Sequence, residues 1–336
     1  MNNATRDFGL AAIGVCAIAL LAYGRGCKSP TAGATGLPPV RLAHFPNITH
    51  APALVGLAQG YFKSELHRPV EAKVVNAGPE AMEALLAGEI DFAYVGPSPA
   101  VNTFAKTRGE ALRIIAGACE GGASLVCRSD LPISSVRDLG GRSVAVPQLG
   151  GTQDVSCRRF LAACGLRSKE QGGTVEILSV KNPDILTLFK RKQLDAAWVP
   201  EPWASRIKAE THAKTVVDER DLWPGRRFCT TVLVVRKAFA DAHPEAVQAV
   251  LRAHDAALEF IRSRPAQAKD LVNRELQALT GKALAPAVLN EAWSRVDFSA
   301  DIDRDSVRAF AQAAVDAGYL KAVPTDLDRI FAPVQH

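Results

Sequence analysis

From Val40 onward, strand signals and helix signals alternate. At nearly every switch from strand to helix the chain carries Gly, Pro, Asn, Ser or Thr. This alternation constrains the fold more than any other feature, because strands separated by helices pair in parallel through crossovers that cover a sheet. Residues 40–45 alternate as a strand, 46–50 turn, and 51–65 read as a helix with Leu54, Leu57, Ala58 and Tyr61 on one face. A strand over 70–75 leads to Gly78 and Pro79, with Pro79 at the first helical position, where its missing N–H is no loss. That helix carries Met82, Leu85 and Leu86 and stops at Gly88. An apolar strand over 90–95 runs into Gly96, Pro97, Ser98 and Pro99, and Ser98 is the expected N-cap of the next helix.

Strands over 113–118 and 124–128 flank Glu120, Gly121 and Gly122, and a second unit follows. Its strand over 143–146 ends in Pro147, Gln148, Leu149, Gly150 and Gly151, and a helix covers 152–164 with Thr152 as an N-cap candidate. A strand over 175–180, a helix over 184–192 and a strand over 195–199 come next. Pro200, Glu201, Pro202 and Trp203 open another helix. After a short strand over 215–218 and an apolar one over 231–236, the remainder is helical: 243–262, 265–278, 286–296 and 304–317. Two βαβ-type units in series predict two α/β lobes. Lobe one is expected over 40–123 plus 229–336 and lobe two over 124–228, with strands 124–128 and 231–236 carrying the chain out and back.

The chain has 336 residues, 48% of them hydrophobic, enough for two cores. Its net charge of +5 is spread without basic blocks, which argues against nucleic acid as a partner. The first 27 residues differ from the rest: Arg6 precedes an apolar run over 8–23, then come Gly24, Arg25, Gly26 and Cys27. The run is short for a membrane span and suits a signal segment over 1–27. A small residue before Cys27 resembles a bacterial lipoprotein signal, in which the cysteine is lipidated. Arg25 and Gly24 depart from that pattern, and plain secretion or a retained anchor are the alternatives. Residues 28–39 read as a flexible tether. Beyond Cys16 and Cys27, Cys119, Cys127, Cys157, Cys164 and Cys229 are an odd, irregular set and no disulfide framework. No metal-ligand spacing occurs, so neither a metal nor a cofactor is expected.

Five segments, in order and spacing, carry a family resemblance: residues 46–50, 76–91, 96–99, 147–154 and 198–203. They resemble the nitrate/sulfonate/taurine class of ABC-importer substrate-binding proteins, most closely its aliphatic-sulfonate-binding branch. The resemblance implies a type II periplasmic binding protein-like α/β fold, two lobes joined by a two-strand hinge. It also implies a monomeric extracytoplasmic receptor, not an enzyme, that delivers a small anionic or zwitterionic solute to permease and ATPase subunits; the lipoprotein-like signal at Cys27 adds the expectation of a lipid anchor at the membrane.

In open α/β sheets ligands bind beyond the carboxyl ends of strands, and helix N-termini there offer unpaired N–H groups and a positive dipole end. Candidate ligand-binding residues are therefore Asn47, Thr49, His50, Gly96, Ser98, Gly151, Thr152 and Gln153. A charge-assisted hydrogen bond contributes roughly 1.5–3 kcal/mol. Four of them bracket the roughly 8 kcal/mol of a micromolar ligand with no arginine in the site. Each has a structural alternative: Ser98 and Thr152 as plain N-caps, Asn47 as an Asx turn, His50 as a surface helix start, and Trp198 as core. Trp203 could pack on a ligand tail. Glu201 either caps its helix facing solvent or accepts a proton-bearing nitrogen of the ligand. The competing readings are a thiamine-pyrimidine-synthase-like enzyme or pyrimidine-binding receptor on the same fold, and an extracellular sensor domain. The synthase relatives carry a cysteine-rich run that this chain lacks, and no nucleophile–base pair is visible.

Overall fold

The computed structural model describes residues 38–332. The expected signal segment, Cys27 and the tether up to residue 37 lie outside them. The chain opens with β1 (Val40–His44), α1 (Ala51–Ala58), α2 (Tyr61–Leu66), β2 (Val70–Val74), α3 (Gly78–Leu86), β3 (Phe92–Val95), α4 (Pro97–Lys106) and β4 (Leu112–Gly121). It continues with β5 (Ala123–Cys127), β6 (Ser143–Val146), α5 (Thr152–Ala163), β7 (Glu176–Ser179), α6 (Asn182–Lys190), β8 (Ala196–Pro200), α7 (Trp203–Thr211) and β9 (Lys214–Asp218). It closes with β10 (Cys229–Arg236), α8 (Lys237–Ala242), α9 (Pro244–Ser263), α10 (Pro265–Thr280), α11 (Pro286–Ser294), β11 (Val296–Asp297) and α12 (Arg304–Asp316).

Two sheets result. The first has the order β11-β4-β10-β3-β1-β2 and the second β7-β6-β8-β5-β9. Both follow one plan: a parallel trio (β3-β1-β2, and β7-β6-β8) completed by an antiparallel strand, β10 or β5, that belongs to the crossing between sheets. The inner strands β1, β3, β6 and β8 are mostly apolar and almost wholly buried, as strands covered by helices on both sides must be, while the edge strands β2 and β7 are more exposed. The chain leaves the first sheet at Gly121 and Gly122 and returns through residues 219–228. Both glycines have left-handed φ, +71° and +72°. A Cβ on Gly121 would also displace the Arg220 side chain, 2.0 Å away at Nε, but the requirement for glycine at the crossing is the left-handed backbone.

Several local boundaries differ from expectation; α6 starts two residues early, and α8 and β11 have no expected counterpart. The helix over 51–65 breaks at Gly60, whose φ of +73° ends α1 and starts α2. Helix α4 begins at Pro97 with Gly96 as N-cap, and α5 begins at Thr152 with Gly151 as N-cap. Ser98 and Thr152 are therefore first-turn helical residues and not caps. The reason at Gly96 is long-range: a Cβ there would lie 2.0 Å from Thr152 Oγ1, in the other half of the molecule. Residues 200–202 do not open α7; Pro200 still belongs to β8 and the helix starts at Trp203.

Each sheet has its own core, and α12 serves both. Val307 and Ala311 pack with Val95, Phe104 and Ile114 of the first, while Phe310 and Ala313 pack with Phe160, Trp198 and Trp223 of the second. The Phe310 and Trp223 rings lie 4.8 Å apart. The five described cysteines are free thiols, four of them buried.

Candidate functional site

The strand ends of the two sheets face one another across a cavity of about 30 Å³. That volume holds about two water-sized groups, the dimensions of a ligand's head. Five chain segments reach it, each following a strand end. From the first sheet come the turn after β1 (Asn47, Thr49, His50), the start of α3 (Asn76, Ala77, Gly78) and the start of α4 (Gly96). From the second come the loop into α5 (Gln148, Gly151, Thr152, Gln153) and the first residue of α6, Asn182. Thr230 and Thr231, where the chain returns to the first sheet, form the back.

No Lys, Arg, Asp or Glu lines this cavity among the described residues, and His50 is the one titratable side chain in its wall. Burial, then the nearby His44, pushes the His50 pKa well below the ordinary imidazole value, so the ring is neutral at pH 7. Its Nδ1 accepts from the Phe45 N–H (3.4 Å), which places the remaining proton on Nε2 and makes that nitrogen a donor. Three buried side-chain atoms at the cavity have no protein partner: Thr152 Oγ1, Thr231 Oγ1 and Asn182 Oδ1. An unpartnered buried polar atom costs about 1–3 kcal/mol, and a ligand that bonds to it removes that cost.

The backbone adds the charge-like component. The Gly151 N–H is taken by Gln148 O, while Val155 N–H already bonds within the helix, to Gly151 O. The N–H groups of Thr152, Gln153 and Asp154, between them, sit in the first turn, where no intrahelical acceptor exists. Helices α3, α4 and α6 each carry proline in the first turn and lose donors there. Helix α5 has no such proline and therefore presents the fullest set of N–H groups to the cavity. The arrangement suits an oxyanion held by neutral donors.

Seven expected residues meet at this cavity: Asn47, Thr49, His50, Gly96, Gly151, Thr152 and Gln153. Three do not. Ser98 is the second residue of α4, fully buried with an unpartnered Oγ, outside the lining. Glu201 neither faces solvent nor the cavity. It is fully buried, accepts from Ser205 N–H (3.1 Å) and lies 3.5 Å from Arg295 Nε. Burial raises its pKa to about 7, against the Ser205 hydrogen bonds and Arg295. Trp203 is buried, and its Nε1–H donates to Asn47 Oδ1 (2.9 Å), a bond from one half of the molecule to the other. It borders a second, wider space of about 580 Å³, the vestibule, which adjoins the cavity along Asn47, Asn76 and Asn182.

Sequence reasoning missed Asn76, Ala77, Gly78, Gln148, Asn182, Thr230 and Thr231. Asn76 and Asn182 carried a usable signal: each follows a strand and stands shortly before the proline of a helix's first turn, Asn76 ahead of α3 and Asn182 as the first residue of α6. Thr230 and Thr231 carried none, because only the placement of β10 beside β3 brings them to the site.

Two sheets of like plan, joined by two crossings and meeting at their strand ends over a cavity, are the type II periplasmic binding protein fold. Solved structures agree. The alkanesulfonate-binding protein SsuA from Xanthomonas axonopodis pv. citri, bound to MOPS, superposes with a TM-score of 0.72 at 18% identity, over 88% of this chain and 98% of that one. The periplasmic nitrate-binding protein NrtA from Synechocystis PCC 6803 gives 0.73 at 17%, over 88% and 86%. In sequence, the taurine-binding periplasmic protein of Escherichia coli (strain K12) is 29% identical over 199 residues, 59% of each chain. Residues 33–274 match the NMT1-like family, and the chain belongs to that family.

Proposed function

We propose that this protein is the extracytoplasmic solute receptor of an ABC importer, closing two lobes on a small anionic or zwitterionic, sulfonate-like solute and delivering it to a permease. The supporting observation is the cavity itself. Helix starts from both sheets converge on it, two buried hydroxyls there, of Thr152 and Thr231, lack partners and can donate, and among the described residues no charged side chain lines it. Lobe one comprises residues 40–123 plus 229–336 and lobe two residues 124–228, turning about the crossings at Gly121–Gly122 and 219–228. The Trp203–Asn47 bond and the Gly96–Thr152 approach belong to the closed form. A thermal-shift screen of sulfonates, taurine, nitrate, bicarbonate and pyrimidines, followed by calorimetry, tests the reading. A true ligand at 100 times its Kd raises stability by about 2.7 kcal/mol. A screen in which only pyrimidines stabilise would reassign the site to the competing receptor class.

The anchoring part of the proposal places the lipid on Cys27, with residues 28–39 as tether. Intact-mass spectrometry of the native protein is expected to show a mature chain starting at acylated Cys27. An unmodified Cys27 would leave plain secretion in its place.

A further inference from the structure

The cavity is too small for more than a head group, so whatever else the ligand carries must lie in the adjoining vestibule, with which the cavity shares Asn47, Asn76 and Asn182. The vestibule is unlike the cavity. Part of its wall is apolar, from Val74, Leu186 and Leu279. The charged side chains lining it are Lys190, Arg206, Lys282 and Glu210. All three cations converge on the one carboxylate. Lys190 Nζ lies 2.6 Å from Glu210 Oε2, and Lys282 Nζ and Arg206 Nε lie 3.2 and 3.3 Å from Oε1. Lys282 comes from the lobe-one side, after α10, and the other two from lobe two, so the cluster spans the mouth of the cleft.

Three cations on one carboxylate leave two positive charges in excess. Lys190 and Lys282 are about half exposed, 48% and 60%. Exposed pairs of this kind contribute little to folding, and bringing three like charges together opposes it. Arg206 is mostly buried over the Trp203 ring and pairs with Glu210, which accounts for one cation structurally; the two half-exposed lysines bring charge beyond that pair, available to a ligand. An ammonium group would meet the excess positive charge and be repelled, and no unpaired carboxylate in the vestibule offsets that.

We propose that the ligand is a dianion: one acidic group held by neutral donors in the cavity, a short apolar spacer along Val74, Leu186 and Leu279, and a second acidic group among Lys190, Arg206 and Lys282. This rests on reading the cavity as the head-group site, and it narrows that reading by excluding ammonium zwitterions. The two ends of such a ligand are recognised differently. The enclosed end is shielded from salt, while the vestibule end is open to screening by ions over about 10 Å at 0.1 M ionic strength.

A matched series tests this by calorimetry on the full chain: propanesulfonate, 3-sulfopropanoate and 3-aminopropanesulfonate, with butanoate, succinate and 4-aminobutanoate in parallel. Within whichever series binds, the dianion is expected to bind at least tenfold more tightly than the monoanion and the zwitterion more weakly than both. Raising the salt from 50 to 500 mM is expected to shrink the dianion-to-monoanion ratio. In the double variant Lys190→Gln, Lys282→Gln that ratio is expected to fall below threefold, whereas Thr152→Ala weakens every member of the series by a similar factor. Equal affinity for dianion and monoanion, or a zwitterion that binds best, overturns the dianion proposal and leaves the receptor reading standing. A double variant that slows association of all anions alike and keeps the ratio would reduce the cluster to a steering device and also overturns it. Absence of binding by every member of both series overturns the small-anion receptor reading, and this proposal with it.

Discussion

Burial keeps opposite kinds of group neutral in the two lobes, imidazoles in lobe one and carboxyls in lobe two, and the lobes bring different chemistry to the cleft. Lobe one buries imidazoles. His50 lines the cavity, His44 is buried at the end of β1, and His254 is bonded between Tyr94 (2.7 Å) and the Gly117 carbonyl (2.9 Å). Burial lowers the pKa of all three, that of His254 to about 4. Lobe two buries acids. Glu201 lies beside the hinge, and Glu219 accepts from Ser156 Oγ (2.6 Å), Trp198 Nε1 (2.6 Å) and Trp223 Nε1 (3.1 Å). Burial raises both to about 7. At the cleft, lobe one offers side-chain donors and proline-interrupted helix starts, and lobe two offers the uninterrupted first turn of α5. Lobe two should therefore hold the ligand's charge, and lobe one should close over it.

The most damaging substitution should be one that stops the halves from meeting. Gly96→Ala places a Cβ 2.0 Å from Thr152 Oγ1 and 3.4 Å from the Thr230 carbonyl. Gly96 itself has ordinary extended backbone, φ −69° and ψ 155°, so lobe one should still fold. The expected loss is about a hundredfold in affinity, roughly 3 kcal/mol, with a small change in melting temperature. Unchanged affinity would show that the lobes do not approach this closely around ligand.

Next in size is Gly151→Val, which tests lobe two alone. Its Cβ would lie 2.9 Å from the Gln148 carbonyl, and its methyl groups would crowd the approach to the α5 N–H groups. A loss of about 2 kcal/mol, some thirtyfold in Kd, is expected by calorimetry. Binding as tight as the unmodified protein would remove α5 from the site and with it the contrast between the lobes.

The contrast was only partly legible in sequence. Strand–helix alternation and turn residues gave both sheets and placed seven cavity residues, because loops at strand ends carry local signals. Ser98 failed by a register shift: the helix starts at Pro97 because Gly96, kept free of a side chain by Thr152, takes the capping position. Glu201 failed because its partner, Arg295, is remote in sequence and no local pattern pairs them. The vestibule failed for the same reason, since Lys282 and Glu210 meet only after the lobes do.

The opposite burial in the lobes predicts a stability maximum in mildly acidic solution. Glu201 and Glu219 have folded pKa values above their unfolded value of 4.5. The folded state thus holds protons that the unfolded chain has released, and stability falls as pH rises through 7. The imidazoles have folded values below 6.5, so stability also falls as pH drops below 6.5, where only the unfolded chain takes up protons. From pH 8 to 6.5 the two glutamates together should add about 1.5 kcal/mol. Denaturant melts should peak near pH 6 to 6.5, and Glu219→Gln should flatten the alkaline limb. A melt that strengthens steadily up to pH 8 would show that the lobe-two acids are ionised in the folded protein.

The smallest expected effect discriminates most finely between cavity wall and core. Thr152 and Ser98 look alike in sequence: each is a hydroxyl residue at a helix start that follows a glycine. Both hydroxyls are buried and lack a protein partner. They differ in place, since Thr152 lines the cavity and Ser98 does not. Thr152→Ala should remove one hydrogen bond to ligand, a loss of about 1 kcal/mol or roughly fivefold in Kd. Thr152→Ser, which keeps the hydroxyl, should recover most of it. Ser98→Ala removes an unpartnered buried hydroxyl and should leave Kd unchanged while holding or slightly raising the melting temperature. If Ser98→Ala weakened binding as much as Thr152→Ala, the ligand would reach past Gly96 into α4. The anion would then be held by both lobes alike, not chiefly by α5.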